Sequence, residues 1–420
     1  MSDLKLFGLP AQKGRWLLIP LGITVLLCLG TVYSWSIFRK PLEKLLNVGA
    51  TESLLPFTVL LVVFAILMPI TGFYIDRFGS RVVTAVGGII MGLGYLLSSR
   101  DGNIPMLVIT YGVIAGIGVG IAYGVPLAVV AKWFPDKKGL AVGLTVIGFG
   151  LSPLITAPLA IQLIKSYGVR QTFVILGIAF TIIILAISTT LKTPPIGWKP
   201  TGWNPPALAR ANVFGGNGVE MLQTRTFYGL WLCYTIGTFA GLAAIGISSP
   251  LAQEIIKLDK DTAAMTVSLF AVFNGMGRLV FGWLTDRFTP KFSAIASFTL
   301  ILIASIMMLN ASQGDVLTYL VAFSLFTFSF GGWLAIAPTS TLILFRPEDY
   351  AKNYGVVFTA FGVGALGGTL LAGRIRDLFG SYTTFFYPTA AMAIVGIVLA
   401  VFMLKRQVSI PAVVESKIDN

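Results

Sequence analysis

Twelve apolar runs, each long enough for a helix to cross a bilayer, decide what this chain can fold into. They lie at roughly 16–38, 54–75, 82–98, 104–131, 140–164, 172–191, 226–250, 262–285, 292–309, 316–345, 354–373 and 382–404. A helix needs about 20 such residues to span a hydrocarbon core of about 30 Å. Inside that core only helices and closed barrels satisfy their own backbone hydrogen bonds. The runs therefore predict an all-α polytopic membrane protein with twelve transmembrane helices. Only 11% of residues are charged, against about 25% in ordinary globular domains, so a soluble enzyme is excluded. The first run lacks a small-residue cleavage site and leads straight into the second, which reads as a retained span rather than a signal peptide.

The longest polar break, 192–225, contains five prolines with Lys192, Lys199, Arg210, Glu220 and Arg225, and shows no helical period. It reads as a linker between two six-span bundles, 1–191 and 226–404, followed by a tail at 405–420. Loops on the side of the termini carry 19 Lys and Arg, and those on the other side carry 10. The richer side is expected to be cytoplasmic, which places both termini in the cytoplasm of a cell with this protein in its inner (plasma) membrane. The formal charge of +13 is then mostly topological, and no nucleic-acid partner is expected. With no histidine in the chain, imidazole chemistry is excluded. Cys28 and Cys233 lie within apolar runs and are too few for a zinc site or a disulfide framework, so they read as core residues. No cofactor or metal is expected.

The halves repeat one another. Gly72-Phe-Tyr-Ile-Asp76-Arg77-Phe78-Gly79-Ser-Arg81 follows span 2, and Gly282-Trp-Leu-Thr-Asp286-Arg287-Phe288-Thr289-Pro-Lys291 follows span 8. Fainter echoes follow span 11 (Gly373, Asp377, Gly380) and span 5 (Lys165, Gly168, Arg170). A motif after spans 2, 5, 8 and 11 implies a three-helix unit used four times, and such internal repeats mark secondary transporters. The loop reads as a conformational latch. Its glycine permits close helix approach, and its Asp is placed to accept hydrogen bonds from a neighbouring helix N-terminus, where the helix dipole favours an anion. The alternative is a turn with ordinary topogenic charges.

Arg278 is the sharpest single signal. It lies near the middle of span 8 with no Asp or Glu within two turns, and a cation at that depth is costly. Its planar fork suits a carboxylate, although backbone carbonyls and water are an alternative set of partners. Asn274, one turn earlier, is placed either to orient the guanidinium or to pack a neighbouring helix. Glycines recur at four-residue intervals in span 4 (Gly112, Gly116, Gly120, Gly124) and cluster in spans 5 and 11. They allow either sliding faces or close static packing.

The twelve spans, the linker and the doubled loop resemble the major facilitator superfamily over essentially the whole chain. More specifically, Gly120-Ile-Ala-Tyr123-Gly124 leads into Lys132-Trp-Phe-Pro-Asp-Lys-Lys-Gly139-Leu-Ala-Val-Gly143. Together with Val32-Tyr33-Ser34-Trp35, Phe273-Asn274-Gly275-Met-Gly-Arg278 and Asn353-Tyr354-Gly355, this is similar to the oxalate/formate antiporter family, itself related to monocarboxylate transporters. The resemblance implies a small organic anion as partner, with Arg278, Tyr33, Tyr123 and Asn274 at the binding site. It also implies Phe149, Phe330, Phe358 and Phe361 as apolar walls.

This chain departs from the family's oxalate exchanger at three places. Phe361 stands where that exchanger has a second cation, Val32 where it has Gln, and Leu334 at one aromatic position. A single cation implies a monocarboxylate such as formate, acetate, lactate or pyruvate, because a dianion leaves a charge unpaired. Oxalate/formate exchange and a non-transporting receptor remain alternatives. So do proton symport and anion exchange as coupling modes, with Glu254 an acid near a span end. A monomer is expected.

Overall fold

The computed structural model describes residues 4–195, 197–203, 221–345 and 349–404. Arg210, Glu220 and the tail at 405–420 lie outside the described residues. A two-stranded hairpin, β1 (Lys5–Leu6) and β2 (Leu9–Pro10), precedes the helices. The N-terminal half contains α1 (Ala11–Leu46), α2 (Ala50–Phe78), α3 (Ser80–Ser98) and α4 (Ile104–Trp133). A helical segment then runs over Lys138–Ser188. The second half contains α7 (Arg225–Ile256), α8 (Lys260–Arg287), α9 (Pro290–Leu309), α10 (Val316–Leu344), α11 (Tyr350–Phe379) and α12 (Thr383–Met403).

The 51-residue segment would be about 75 Å long as one straight helix, more than twice a bilayer core. It is not straight. Gly168 adopts φ 79° and ψ 166°, a conformation open to glycine and strained for other residues. The chain turns there, giving α5 (138–167) and α6 (169–188), so eleven continuous apolar segments make twelve spans. The helices also overrun the apolar runs. α1 continues to Leu46, which brings Arg39, Lys40 and Glu43 into a helix rather than a loop.

The two halves meet along α2 with α11, α5 with α8, and α1 with α7. Small polar groups join them. The Thr58 and Thr369 hydroxyls are 2.5 Å apart, Ser36 and Ser248 share a hydrogen bond of 3.1 Å, and Ser268 donates to the Pro153 carbonyl at 3.1 Å. The glycine stripe of α4 has one clear structural role. A Cβ at Gly112, Gly116, Gly120 or Gly124 would run into α2 at Pro56–Val59, Leu60–Val63, Phe64–Leu67 or Thr71 respectively, so the stripe seats α2 against α4. In α1 the backbone tightens to a 3₁₀ turn over Gly30–Ser34, the stretch that carries Tyr33 into the middle of the bundle.

Candidate functional site: a buried guanidinium in an aromatic ring

Arg278 is 5% exposed and two of its three nitrogens are engaged. Nε donates to Asn274 Oδ1 at 3.3 Å and Nη1 to the Val146 carbonyl of α5 at 3.0 Å. Nη2 is buried with no hydrogen-bond partner, as is the Asn274 amide nitrogen. No carboxylate pairs with Arg278 among the described residues. Both alternatives from the sequence are thus partly realised: one carbonyl satisfies one nitrogen, while the far edge of the fork is left unsatisfied. Gly150 makes the placement possible, because a Cβ there would fall on Asn274 Oδ1 and the Arg278 Nε and Nη2 atoms.

The six aromatic side chains singled out from the sequence form one continuous circuit, closed by Phe64 of α2. Tyr33 meets Phe149 edge-on at 5.0 Å, Phe149 meets Tyr123 at 5.1 Å, and Tyr123 meets Phe64 at 4.9 Å. Phe64 meets Phe358 at 5.5 Å, and Phe358 stacks on Phe361 at 5.1 Å. Phe361 then reaches Phe330 at 6.2 Å, and Phe330 returns to Tyr33 at 5.6 Å. These spacings are those of favourable aromatic pairs, and the circuit draws on α1, α2, α4, α5, α10 and α11. Tyr33 and Tyr123 both lie near Arg278, Tyr123 with its hydroxyl toward the guanidinium. Beside Tyr33 and Asn274 lies a cavity of about 20 Å³, also lined by Gly150, Pro153, Ser248 and Thr327. That is room for one water. Phe64, Ser248 and Thr327 were not legible as site residues, because nothing in an apolar run distinguishes a Phe or a small hydroxyl that faces the centre.

The bundle is clamped at the end that carries the α1–α2, α7–α8 and α11–α12 loops. Glu254 of α7 binds both Lys40 of α1 and Arg376 of α11, the latter at 2.5 Å. Arg39 is fully buried and donates to Ser53 Oγ, Glu43, the Gly246 and Ala50 carbonyls and the Tyr382 hydroxyl. Lys165 pairs with Asp261, joining α5 to α8. Asp377 accepts from the backbone amides of Ala50 and Thr51 at 2.8 and 2.9 Å and from the Thr51 hydroxyl at 2.5 Å.

That last contact has the geometry expected of the Gly-xxx-Asp motif, an Asp accepting from a neighbouring helix N-terminus, but it is made by the faint echo after α11. The strong copies stand open. Asp76 is 78% exposed and touches only Lys132 at 3.5 Å. Asp286, Arg77, Arg81 and Arg287 make no ion pair among the described residues. A Cβ on Gly72 would meet nothing, and one on Gly282 only Ala335 at ordinary contact. The close approach expected at these two glycines is therefore absent in this conformation.

Arg278 is also not the only buried cation. Arg39 and Arg15 are 0% and 2% exposed, but each has an acid. Arg15 forks onto Asp136 at 2.5 and 2.8 Å, and these hydrogen bonds hold the Asp136 carboxyl below its ordinary range.

The chain matches the Major Facilitator Superfamily model over residues 21–344 and again over 230–417. It is 29% identical over 363 residues to an uncharacterized MFS-type transporter, YhjX, of Escherichia coli, covering 84% of this chain and 87% of that one. It is 29% identical to the oxalate:formate antiporter of Oxalobacter formigenes, over 93% of this chain and 92% of the other. Monocarboxylate transporter 13 of Bos taurus is 27% identical over 76% and 72% of the two chains. Among solved structures, a bacterial homologue of the human lysosomal transporter Spinster, crystallised inward-facing and unoccupied, superimposes with a TM-score of 0.71. That match has 17% identity over 96% of this chain and 99% of that one, and it shows the fold alone. The repeated halves, the helical architecture and these matches together make this chain a membrane transporter, not an enzyme, belonging to the major facilitator superfamily.

Proposed function

We propose that this transporter carries small organic monoanions across the inner membrane by alternating access, with formate, acetate, lactate or pyruvate as the substrate class. The observation that carries this is the Arg278 guanidinium, buried without a carboxylate and with Nη2 unpartnered. A substrate carboxylate supplies the missing charge and the missing acceptor together. In this reading Arg278 holds the anion, Asn274 fixes the guanidinium, Tyr33 and Tyr123 offer hydroxyls to it, and Phe149, Phe330, Phe358 and Phe361 exclude water. Phe64 joins them.

Residues 1–191 and 226–404 act as two bundles that rock about this centre, joined by 192–225 with both termini cytoplasmic. The Glu254 and Asp377 contacts then close the outer face, while the Asp76 and Asp286 loops stand released on the inner one. In the opposite conformation the latches exchange roles. The cavity beside Tyr33 and Asn274 has room for only one water, so in this reading the centre is collapsed and must widen to admit a substrate.

The test is counterflow of labelled formate, lactate, pyruvate and oxalate in proteoliposomes, with and without internal anion and a pH gradient. Counterflow of a monocarboxylate supports the proposal, and its absence for all four overturns it. A second reading, oxalate/formate exchange, draws on the 29% identity to the oxalate:formate antiporter over 93% of this chain. Oxalate counterflow as efficient as that of any monocarboxylate favours it instead.

A further inference from the structure

A groove of about 360 Å³ opens at the end of the bundle that carries the chain termini. It lies between the N-terminal hairpin, the start of α3 and the segment that follows α6. Three cations line it from three separate stretches of chain: Lys5 on β1, Arg81 at the first turn of α3, and Lys192 just past α6. Thr189, Thr190 and Thr193 add hydroxyls, and among the described residues no acid lines it. None of the three cations makes an ion pair among the described residues. Of the described acids closest in sequence to the lining residues, Asp136 is engaged by Arg15 and Asp76 makes an exposed contact with Lys132 at 3.5 Å. The site is braced, since Trp133 donates its indole N–H to the Lys192 carbonyl at 2.7 Å and Ser80 donates to the Leu191 carbonyl at 2.5 Å.

The surface around the groove identifies its occupant. Val82, the residue after Arg81, begins a row of exposed apolar side chains on α3 that continues through Val86, Ile89 and Leu93, each between 43% and 52% exposed. The spacing puts all four on one face of the helix, running from the groove toward the middle of the bilayer. Phe7 and Leu9 on the hairpin are exposed beside it. A charged groove at headgroup depth that leads onto an apolar stripe fits a molecule with an anionic head and an acyl tail.

We propose that this groove binds the phosphate of an anionic phospholipid, with Lys5, Arg81 and Lys192 on the headgroup and the acyl chains along the Val82–Leu93 face of α3. Basic recesses between membrane helices recognise such headgroups through these interactions. A bound lipid would tie together the hairpin, the loop that carries Arg81 and the first residues of the inter-bundle linker, segments that no ion pair joins here. The inference is independent of which substrate Arg278 holds.

The test uses the full-length protein in detergent and measures retained lipid by native mass spectrometry after titration with phosphatidylglycerol or phosphatidylcholine. A parallel titration with glycerol 3-phosphate supplies the same phosphoryl chemistry without acyl chains. The wild-type protein is expected to retain phosphatidylglycerol in preference to phosphatidylcholine. A Lys5→Gln/Lys192→Gln variant should lose roughly thirtyfold in that affinity, taking the usual contribution per cation near a membrane surface. The control Lys44→Gln/Lys260→Gln removes the same charge at the opposite end and should stay within about twofold, since the intervening distance exceeds a Debye length. Equal retention of the two lipids by the wild type, or equal loss in both variants, overturns the proposal. Binding of glycerol 3-phosphate as tight as that of the lipid overturns the lipid assignment in favour of a soluble phosphorylated ligand.

Discussion

At the scale of single residues, the energetics of the centre turn on one unsatisfied edge of a guanidinium. A lysine at 278 keeps the charge but loses the planar fork, the hydrogen bond to Val146 and the one to Asn274. Arg278→Lys is expected to reduce transport by about a hundredfold or more while membrane insertion and yield stay normal; uptake near the wild-type level removes Arg278 from the binding site. Phe361 is fully buried, stacked on Phe358 and packed against Phe64. A lysine there introduces a second cation into the aromatic circuit that includes Tyr33, and the repulsion it adds grows as the two charges approach. Two unit charges about 4 Å apart interact by about 4 kcal/mol at an effective dielectric of about 20, a repulsion that a dianion relieves and a monoanion does not. Phe361→Lys should therefore raise oxalate competition against labelled monocarboxylate by about a hundredfold; unchanged competition refutes the single-cation account of selectivity. Arg278 was legible in the sequence because a charge in an apolar run is conspicuous. Phe64 was not, since its role depends on which face of α2 meets four other rings, and that is settled by the α4 glycine stripe. Arg39 was misjudged as a loop cation because α1 continues well beyond its apolar run, its polar end carried by ion pairs rather than by lipid.

At the scale of helices, two kinds of contact respond to different perturbations. Asp377 caps the start of α2 from across the interface between the halves, a contact of the kind worth about 1 kcal/mol for a partly exposed cap and its dipole. Asp377→Ala should shift the equilibrium toward opening at that end by roughly fivefold. The shift is readable as faster thiol labelling of a Ser248→Cys reporter, which is 2% exposed and lines the central cavity. The native Cys28 and Cys233 are both buried and contribute little background. Labelling at the wild-type rate would mean that Asp377 does not hold this end closed. Asp76 makes only an exposed contact with Lys132 in this conformation, so Asp76→Asn should slow turnover more than it weakens substrate affinity; a large loss of affinity at unchanged maximal rate contradicts a latch role. The motif's spacing told where an Asp can meet a helix N-terminus but not which copy does so. Engagement belongs to a conformational state, and all four copies read alike in a sequence whichever state is populated. The Gly168 break falls in the gap between the apolar runs at 140–164 and 172–191, and it divides a 51-residue helical segment into the two spans read there.

At the scale of the whole molecule, the helical architecture followed from run length because the bilayer leaves few alternatives. The clamp was not legible, because it depends on Lys40, Glu254, Arg376 and Asp377 converging from helices far apart in sequence. At the opposite end the Arg15–Asp136 fork fastens the first helix to the α4–α5 loop. Arg15 holds the Asp136 carboxyl below its ordinary value of 3.8. A depressed native value means that the pair's stabilisation is fully present above the unfolded-state value and is lost as pH falls through the native one. The difference in melting temperature between wild type and Asp136→Asn should thus be constant at neutral pH and shrink as pH falls below the ordinary carboxyl value of 3.8; a difference that persists in strong acid assigns the effect to packing.

The central claim, that a carboxylate completes the Arg278 site, is tested most directly by counterflow of labelled lactate or formate in liposomes that contain equal amounts of wild-type or Arg278→Lys protein. The account predicts rapid counterflow in the wild type, weak inhibition by oxalate, and near-background signal in the variant. Equal counterflow in the two proteins, or oxalate inhibiting the wild type as strongly as the monocarboxylate itself, would contradict it.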